Sequence, residues 1–289
     1  MTLIETEETN QFTFEAFAAH AFYTEVNRSL VRHALAPAAR LNRATLTIVD
    51  MACGTGAITR LIAEEITRQG RQAHIIGVDP SAEALRRAQK GMEEARITGS
   101  EIHADFIQGE AGDLPKIVQN ADAAFFCNAI HLLTDKLLAF RLMANILAPG
   151  GVFACNSGFY EGAYVEGTER FYRLWTRRAV GWLRKEHPEA HLSRDSKAMA
   201  MQWLTSREYV DLLKQSGFCH VDVTQECAIM TIDSYHDIGQ YWLFIEGALP
   251  GVPLSLGAAA LGTSVYQVGE ELGITEVPRN WLQLVAYKK

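Results

Sequence analysis

The chain has 289 residues, 48% of them hydrophobic and 21% charged, with a formal net charge of −7 and a pI near 5.7. This length allows one large core or two domains, and the acidic balance argues against tight nucleic-acid binding, which needs Lys and Arg to displace phosphate counterions. The opening MTLIETEETN is acidic and has no apolar core, unlike a secretory leader, and no stretch approaches the roughly 18 apolar residues of a membrane span.

In chain order, an amphipathic helix is expected around Phe14–Ala34, with His20 and Tyr23 three residues apart on it. Short apolar runs then alternate with segments of 3.6-residue period, the pattern of βαβ units and a parallel sheet. Strands are predicted near Leu46–Ala52, Ala73–Asp79, Ala104–Gln108, Ala121–Asn128 and Val152–Asn156. Helices are predicted near Ala57–Gln69, Ala82–Arg96 and Asp135–Leu147, the last stopped by Pro149-Gly150-Gly151. Thr205-Ser206-Arg207-Glu208 reads as a capping box that opens a helix running to Ser216, closed by Gly217. Strands at Phe218–Thr224 and Trp281–Tyr287 complete the set.

Two stretches fall outside this minimal core. Ser157–Leu204 should hold a helix with Phe171, Trp175, Arg178 and Trp182 along one stripe. Glu226–Arg279 is rich in Gly and aromatics, among them Tyr241, Trp242 and Phe244. The basic run Arg173, Arg177, Arg178, Arg184 and Lys185 is interleaved with Leu174, Trp175 and Trp182, which fits a solvated helix face better than a nucleic-acid patch. The five cysteines form no CxxC pair, and their odd number fits reduced thiols in a cytoplasmic protein.

The strongest local signal is Val49-Asp50-Met51-Ala52-Cys53-Gly54-Thr55-Gly56, where a strand turns into a helix. Gly54 and Gly56 let the backbone turn tightly and approach a ligand, and ligands of open α/β sheets bind beyond the carboxyl ends of strands. A dinucleotide fingerprint would place a third glycine where Thr59 stands. Asp50, aimed toward the loop, would repel a pyrophosphate and attract an ammonium or sulfonium. The next strand ends at Asp79-Pro80, which returns to the same edge after a helix of about 18 Å and a strand of about 20 Å. A carboxylate there can accept hydrogen bonds from both hydroxyls of a ribose. After the third strand, Glu110 as acceptor and the Ala111 N–H as donor could pair with an adenine edge, with Asp113 as the alternative acceptor. After the fourth come Asn128-Ala129-Ile130-His131.

Taken together, these four ordered motifs resemble the class I, seven-stranded, Rossmann-like S-adenosylmethionine-dependent methyltransferases of the small-molecule branch. The resemblance implies an α/β fold with a doubly wound, mostly parallel seven-stranded sheet of order 3-2-1-4-5-7-6 and helical cap insertions. It implies one domain over 1–289, with an N-terminal helical lid at 1–45, a cofactor-binding core at 46–156, and acceptor-binding caps at 157–204 and 226–279. It assigns the methionine part to Asp50 and the Ala52, Cys53, Gly54 and Gly56 backbone, and the ribose to Asp79 beside Pro80. Glu110 and Ala111 would take the adenine, and Asn128, Ala129 and Ile130 would flank the sulfonium. Many members of the branch carry Asp where Glu110 stands.

Methyl transfer requires alignment and exclusion of water above all; a base is needed only for a hydroxyl, phenol or carbon acceptor. The candidates are His131, Glu161 in Phe159-Tyr160-Glu161-Gly162, and Tyr23; His20 reads better as packing, and Glu246 as either a pocket acid or a helix-face residue. Glu161 among aromatics could have a raised pKa. Asp and His are scattered without ligand spacing, so no metal is expected. The aromatic caps favour a small apolar or aromatic acceptor, with no nucleic acid or membrane as partner; a homodimer is compatible with this reading. The competing hypotheses are a SAM-binding scaffold without turnover and an NAD-dependent oxidoreductase.

Overall fold

A computed structural model describes residues 9–36, 43–95, 101–193 and 203–289. Most of the acidic opening stretch, Arg96, and residues 194–202 of the first expected cap lie outside them. The strands are β1 (Thr45–Met51), β2 (Gln72–Asp79), β3 (Ile102–Gln108), β4 (Ala121–Cys127), β5 (Leu147–Ser157), β6 (Phe218–Thr231) and β7 (Glu276–Lys288). The helices are α1 (Glu15–Ala18), α2 (Ala21–Leu35), α3 (Ala57–Arg68), α4 (Ala82–Glu94), α5 (Leu114–Ile117), α6 (Lys136–Ile146), α7 (Glu169–Glu186), α8 (Ser206–Gln215), α9 (Ile232–Ile238), α10 (Trp242–Ala248) and α11 (Leu254–Leu272).

All seven strands join one sheet of order β3-β2-β1-β4-β5-β7-β6, the expected order. β1 pairs in parallel with β2 and β4, β2 with β3, and β4 with β5, while β7 runs antiparallel to β5. The buried middles of β1, β2 and β4 explain their near-continuous apolar runs, since a parallel sheet is covered on both faces. The capping box forms: Thr205 Oγ1 accepts the Glu208 N–H at 3.1 Å, and Glu208 accepts the Thr205 N–H at 2.8 Å.

The chain divides into two compact units. The sheet unit comprises residues 24–160, 204–226 and 281–289. The helical unit comprises residues 1–23, 161–203 and 227–280. In the helical unit α7 lies along α11, and the Trp175 indole N–H donates to the Leu261 carbonyl at 2.9 Å. Phe171, Tyr172, Trp175 and Tyr235 interlock there, with the Tyr172 and Tyr235 hydroxyls 2.6 Å apart. Arg279 is buried in the same unit, its guanidinium 5.4 Å from the ring centres of Tyr164 and Tyr172 and 5.8 Å from that of Trp203.

Several expectations change. The N-terminal helix is interrupted between α1 and α2, where His20 Nε2 meets Asp237 Oδ2 at 2.8 Å. The buried face of α7 is Phe171, Tyr172, Trp175, Ala179 and Leu183; Arg178 points outward to Glu271. Pro149-Gly150-Gly151 lies inside β5, where pairing with β4 is irregular, rather than ahead of the strand. β6 extends to Thr231, and the 19-residue α11 was not anticipated.

Candidate functional site

The glycine turn and the motifs gathered around it belong to the sheet unit. At the carboxyl end of β1, the chain takes left-handed φ at Ala52 (+55°), Gly54 (+52°) and Gly56 (+78°). A Cβ at Gly54 would meet nothing within 4 Å, so the turn opens on free space; at Gly56 it would lie 3.0 Å from Ala88 Cβ, so only glycine lets α3 start this close to α4. Ala52 has no such freedom, and its left-handed backbone is strained, a feature that gathers at functional sites.

Asp50 is buried, and the Thr59 hydroxyl donates to its Oδ2 at 2.5 Å. Burial pushes its carboxyl up to about 7; Thr59 opposes the rise and the Asp79 charge adds to it. Thr59 thus occupies the third position of the dinucleotide pattern with a hydroxyl that holds the carboxylate, a role the sequence did not disclose. Asp79, also buried, accepts the Gly54 N–H at Oδ2 and the Ser81 N–H at Oδ1, both at 2.9 Å. It therefore clips the glycine turn to the end of β2. The Gly109 N–H donates to the Asp79 carbonyl at 3.1 Å, and Gln108 Nε2 donates to the Pro80 carbonyl at 2.9 Å, which brings the third motif to the same edge. Glu110 is exposed and Ala111 half-buried. The Asp113 carboxylate accepts the Glu110 N–H at 3.1 Å, so it shapes the turn that presents Glu110.

After β4, Asn128 has φ +56° and is held by a polar cluster. Its N–H is shared between Asn156 Oδ1 and the Asn156 carbonyl at 3.0 and 3.1 Å. Asn27 Oδ1 accepts from the amides of Asn128 and Asn156 at 3.0 and 2.9 Å, and Asn128 Oδ1 accepts the Trp281 indole N–H at 2.9 Å. Asn27, on α2, is fully buried and was not singled out from the sequence; a lone Asn on an apolar helix face was its only signal. Ala129 and Ile130 continue into a short 3₁₀ turn, Ile130–Leu132.

His131, the last residue of this motif, is buried, with Nδ1 3.0 Å from Ser157 Oγ and its ring 4.6 Å from that of Phe159. The other two base candidates lie in the helical unit. Glu161 is exposed, so the apolar surroundings expected for it are missing. Its neighbour Tyr160 turns inward in the sheet unit and donates to Gln225. Tyr23 is buried against Phe14 and Phe17, at 5.6 and 6.0 Å between ring centres. Glu246 is exposed on α10, which settles it as a helix-face residue. The His and Asp residues that look scattered in sequence include three that the sheet gathers: His74, His103 and Asp105 offer ligand atoms within 4.8 Å of one another. They run from the first half of β2 to the middle of β3, set back from the strand ends at Asp79 and Gln108.

The profile of the methyltransferase domain family matches residues 42–217. The chain belongs to this family. The chain is 26% identical over 182 residues to the ubiquinone/menaquinone biosynthesis C-methyltransferase UbiE of Rhizobium meliloti, a match covering 61% of this chain and 66% of that protein. It is 30% identical over 108 residues to the demethylmenaquinone methyltransferase of Listeria welshimeri, covering 37% and 43% of the two chains. The chain thus spans less than two thirds of these curated relatives. In three dimensions it is similar to the Haemonchus contortus phosphoethanolamine N-methyltransferase 2 in complex with S-adenosyl-L-methionine, at TM-score 0.55 and 15% identity, over 97% of this chain and 57% of that one. The chain's strand order is that of the class I methyltransferase fold. Among the described residues, no helix is long and apolar enough to cross a membrane.

Proposed function

We propose that the protein transfers the methyl group of S-adenosylmethionine to an O, N or C atom of a small apolar or aromatic metabolite in the cytoplasm. The observation that carries this reading is the pairing of two buried carboxylates, Asp50 and Asp79, at a glycine turn that opens on free space. That field favours a cationic amino-acid nucleoside and disfavours a diphosphate, so it speaks against a nicotinamide cofactor. Asp50 and the Ala52, Cys53, Gly54 and Gly56 backbone would hold the amino-acid end. Asp79 with Pro80 would hold the ribose, Glu110 and Ala111 the adenine, and Asn128, Ala129 and Ile130 the surroundings of the sulfur.

When bound, S-adenosylmethionine supplies an electrophilic methyl on a good leaving group. The residues of this chain then have to bind, orient and keep water out. His131 is a base candidate with a defined partner: if its Nδ1–H donates to Ser157 Oγ, Nε2 carries the lone pair that can take a proton from an acceptor. Glu161 and Tyr23 are assigned contact with the acceptor. The segments 157–204 and 226–279 are assigned as its binding caps, and 1–45 as a lid, on their aromatic content. The relatives named for quinone methylation make a hydroquinone ring carbon the acceptor to try first, since such a carbon becomes nucleophilic once its hydroxyl loses a proton.

Calorimetry with S-adenosylmethionine should show one site, weakened at least tenfold in Asp79→Ala. Unchanged affinity in that variant discards the ribose assignment, and NADH binding in its place discards the whole reading. Transfer of a labelled methyl group to a panel of hydroquinones, phenols and amines separates an enzyme from a scaffold that only holds the cofactor.

A further inference from the structure

His74 and His103 are direct partners in the parallel pairing of β2 with β3, and Asp105 follows His103 by two residues. Side chains two apart on a strand share a face, and neighbouring strands lie about 4.8 Å apart, so the register itself assembles the group. Asp105 divides its carboxylate between the two rings: Oδ2 is 2.7 Å from His74 Nε2, and Oδ1 is 3.1 Å from His103 Nε2. The ring centres are 5.2 Å apart.

We infer that His74, His103 and Asp105 form a binding site for a borderline divalent cation of the zinc, nickel or copper(II) class. Two imidazole nitrogens and one carboxylate oxygen suit these ions, whereas calcium and magnesium ask for an all-oxygen set. Donors that sit 2.0–2.2 Å from a tetrahedral zinc stand roughly 3.3–3.6 Å from one another, so the 2.7 and 3.1 Å gaps to Asp105 need to widen by less than about 1 Å, within the reach of side-chain rotation. The three side chains are 38%, 72% and 47% exposed, which gives an ion a path in and leaves coordination positions to water. Bound there, the cation would staple the edge strand β3 to β2, set back from the glycine turn. This site is independent of the methyl-transfer reading.

The test is calorimetric titration of zinc into the full chain after removal of metals with a chelator. A Cys219→Ser/Cys227→Ser background removes the two exposed thiols, which would compete for zinc. One ion per chain should bind. Asp105→Asn, His74→Gln and His103→Gln should each weaken binding at least tenfold, and excess magnesium should not displace the ion. Asp222→Asn is the control, because Asp222 is also flanked by two histidines, His33 and His220, and it should bind zinc like the parent. Absence of zinc binding, binding unaffected by Asp105→Asn, or loss that follows Asp222 would overturn the assignment. Since all three residues lie on an accessible face, a thermal melt of each variant separates lost binding from lost fold.

Discussion

Burial lifts the Asp50 carboxyl from 3.8 to about 7, against the pull of the Thr59 hydroxyl and with a push from Asp79. Between those values the folded chain holds a proton that the unfolded chain has released, so stability falls as pH rises through this window. At about 1.4 kcal/mol per pH unit, the loss amounts to about 4 kcal/mol by pH 7. A cationic ligand reverses the preference, because it favours the ionised carboxylate. Affinity for S-adenosylmethionine should therefore drop as pH falls below 7, approaching tenfold per unit, with a proton released on binding. Asp50→Asn should melt higher than the parent at pH 8 and near the parent at pH 4, while binding the cofactor at least tenfold more weakly. Melting curves and calorimetry at the two pH values decide. If parent and variant share one pH dependence, Asp50 is not the group that titrates.

Four elements meet through the buried amides of Asn27 and Asn156, the half-buried amide of Asn128 and the indole of Trp281, so the turn after β4 is set by α2, β5 and β7 together. Asn27→Leu keeps the branched skeleton but removes the shared acceptor, leaving the buried Asn156 amide and the half-buried Asn128 amide each to lose a bond. Each such loss costs about 1–3 kcal/mol, so unfolding in denaturant should show a loss of about 2–4 kcal/mol. If the cluster positions the transfer site, turnover should fall well beyond any change in cofactor affinity; equal losses in both would make Asn27 purely structural. None of this was legible in the sequence, because the bonded partners lie 101 to 153 positions apart and meet only once the sheet closes. What could be read was local: the glycine turn after Asp50, the return of Asp79, and the Thr205 capping box. The α11 helix was hidden by Gly257, Gly262 and Gly269, which resemble loop residues. Gly257 is there for contact, since a Cβ would come 2.3 Å from Ile245 Cγ2. The face of α7 was rotated because Arg178 and Trp182 fit the same period as the buried residues. The His74–His103–Asp105 group depended on strand register, which periodicity does not specify.

At the scale of the molecule, the five thiols divide by environment. Cys53, Cys127 and Cys155 are buried, and burial raises all three pKa values, while Cys219 and Cys227 are exposed. The thiolate is the reactive form, so the buried three should be silent at neutral pH unless the chain opens. An aromatic disulfide reagent should titrate two thiols rapidly in the native protein and five after denaturation. The slow reaction of the remaining three then measures opening of the sheet, because Cys127 and Cys155 lie on its central strands β4 and β5. A ligand held by the native fold at about one hundred times its dissociation constant adds about 2.7 kcal/mol. Where opening precedes reaction, that slows the phase about one-hundredfold. Cys53 is the informative case, because it sits within the glycine turn rather than on a strand. If it reacts faster than Cys127 and Cys155, the turn opens locally. Saturating S-adenosylmethionine should then suppress the Cys53 phase ahead of the other two, which would place the ligand at the turn without any measurement of turnover. A Cys53 rate indifferent to the ligand would place it elsewhere.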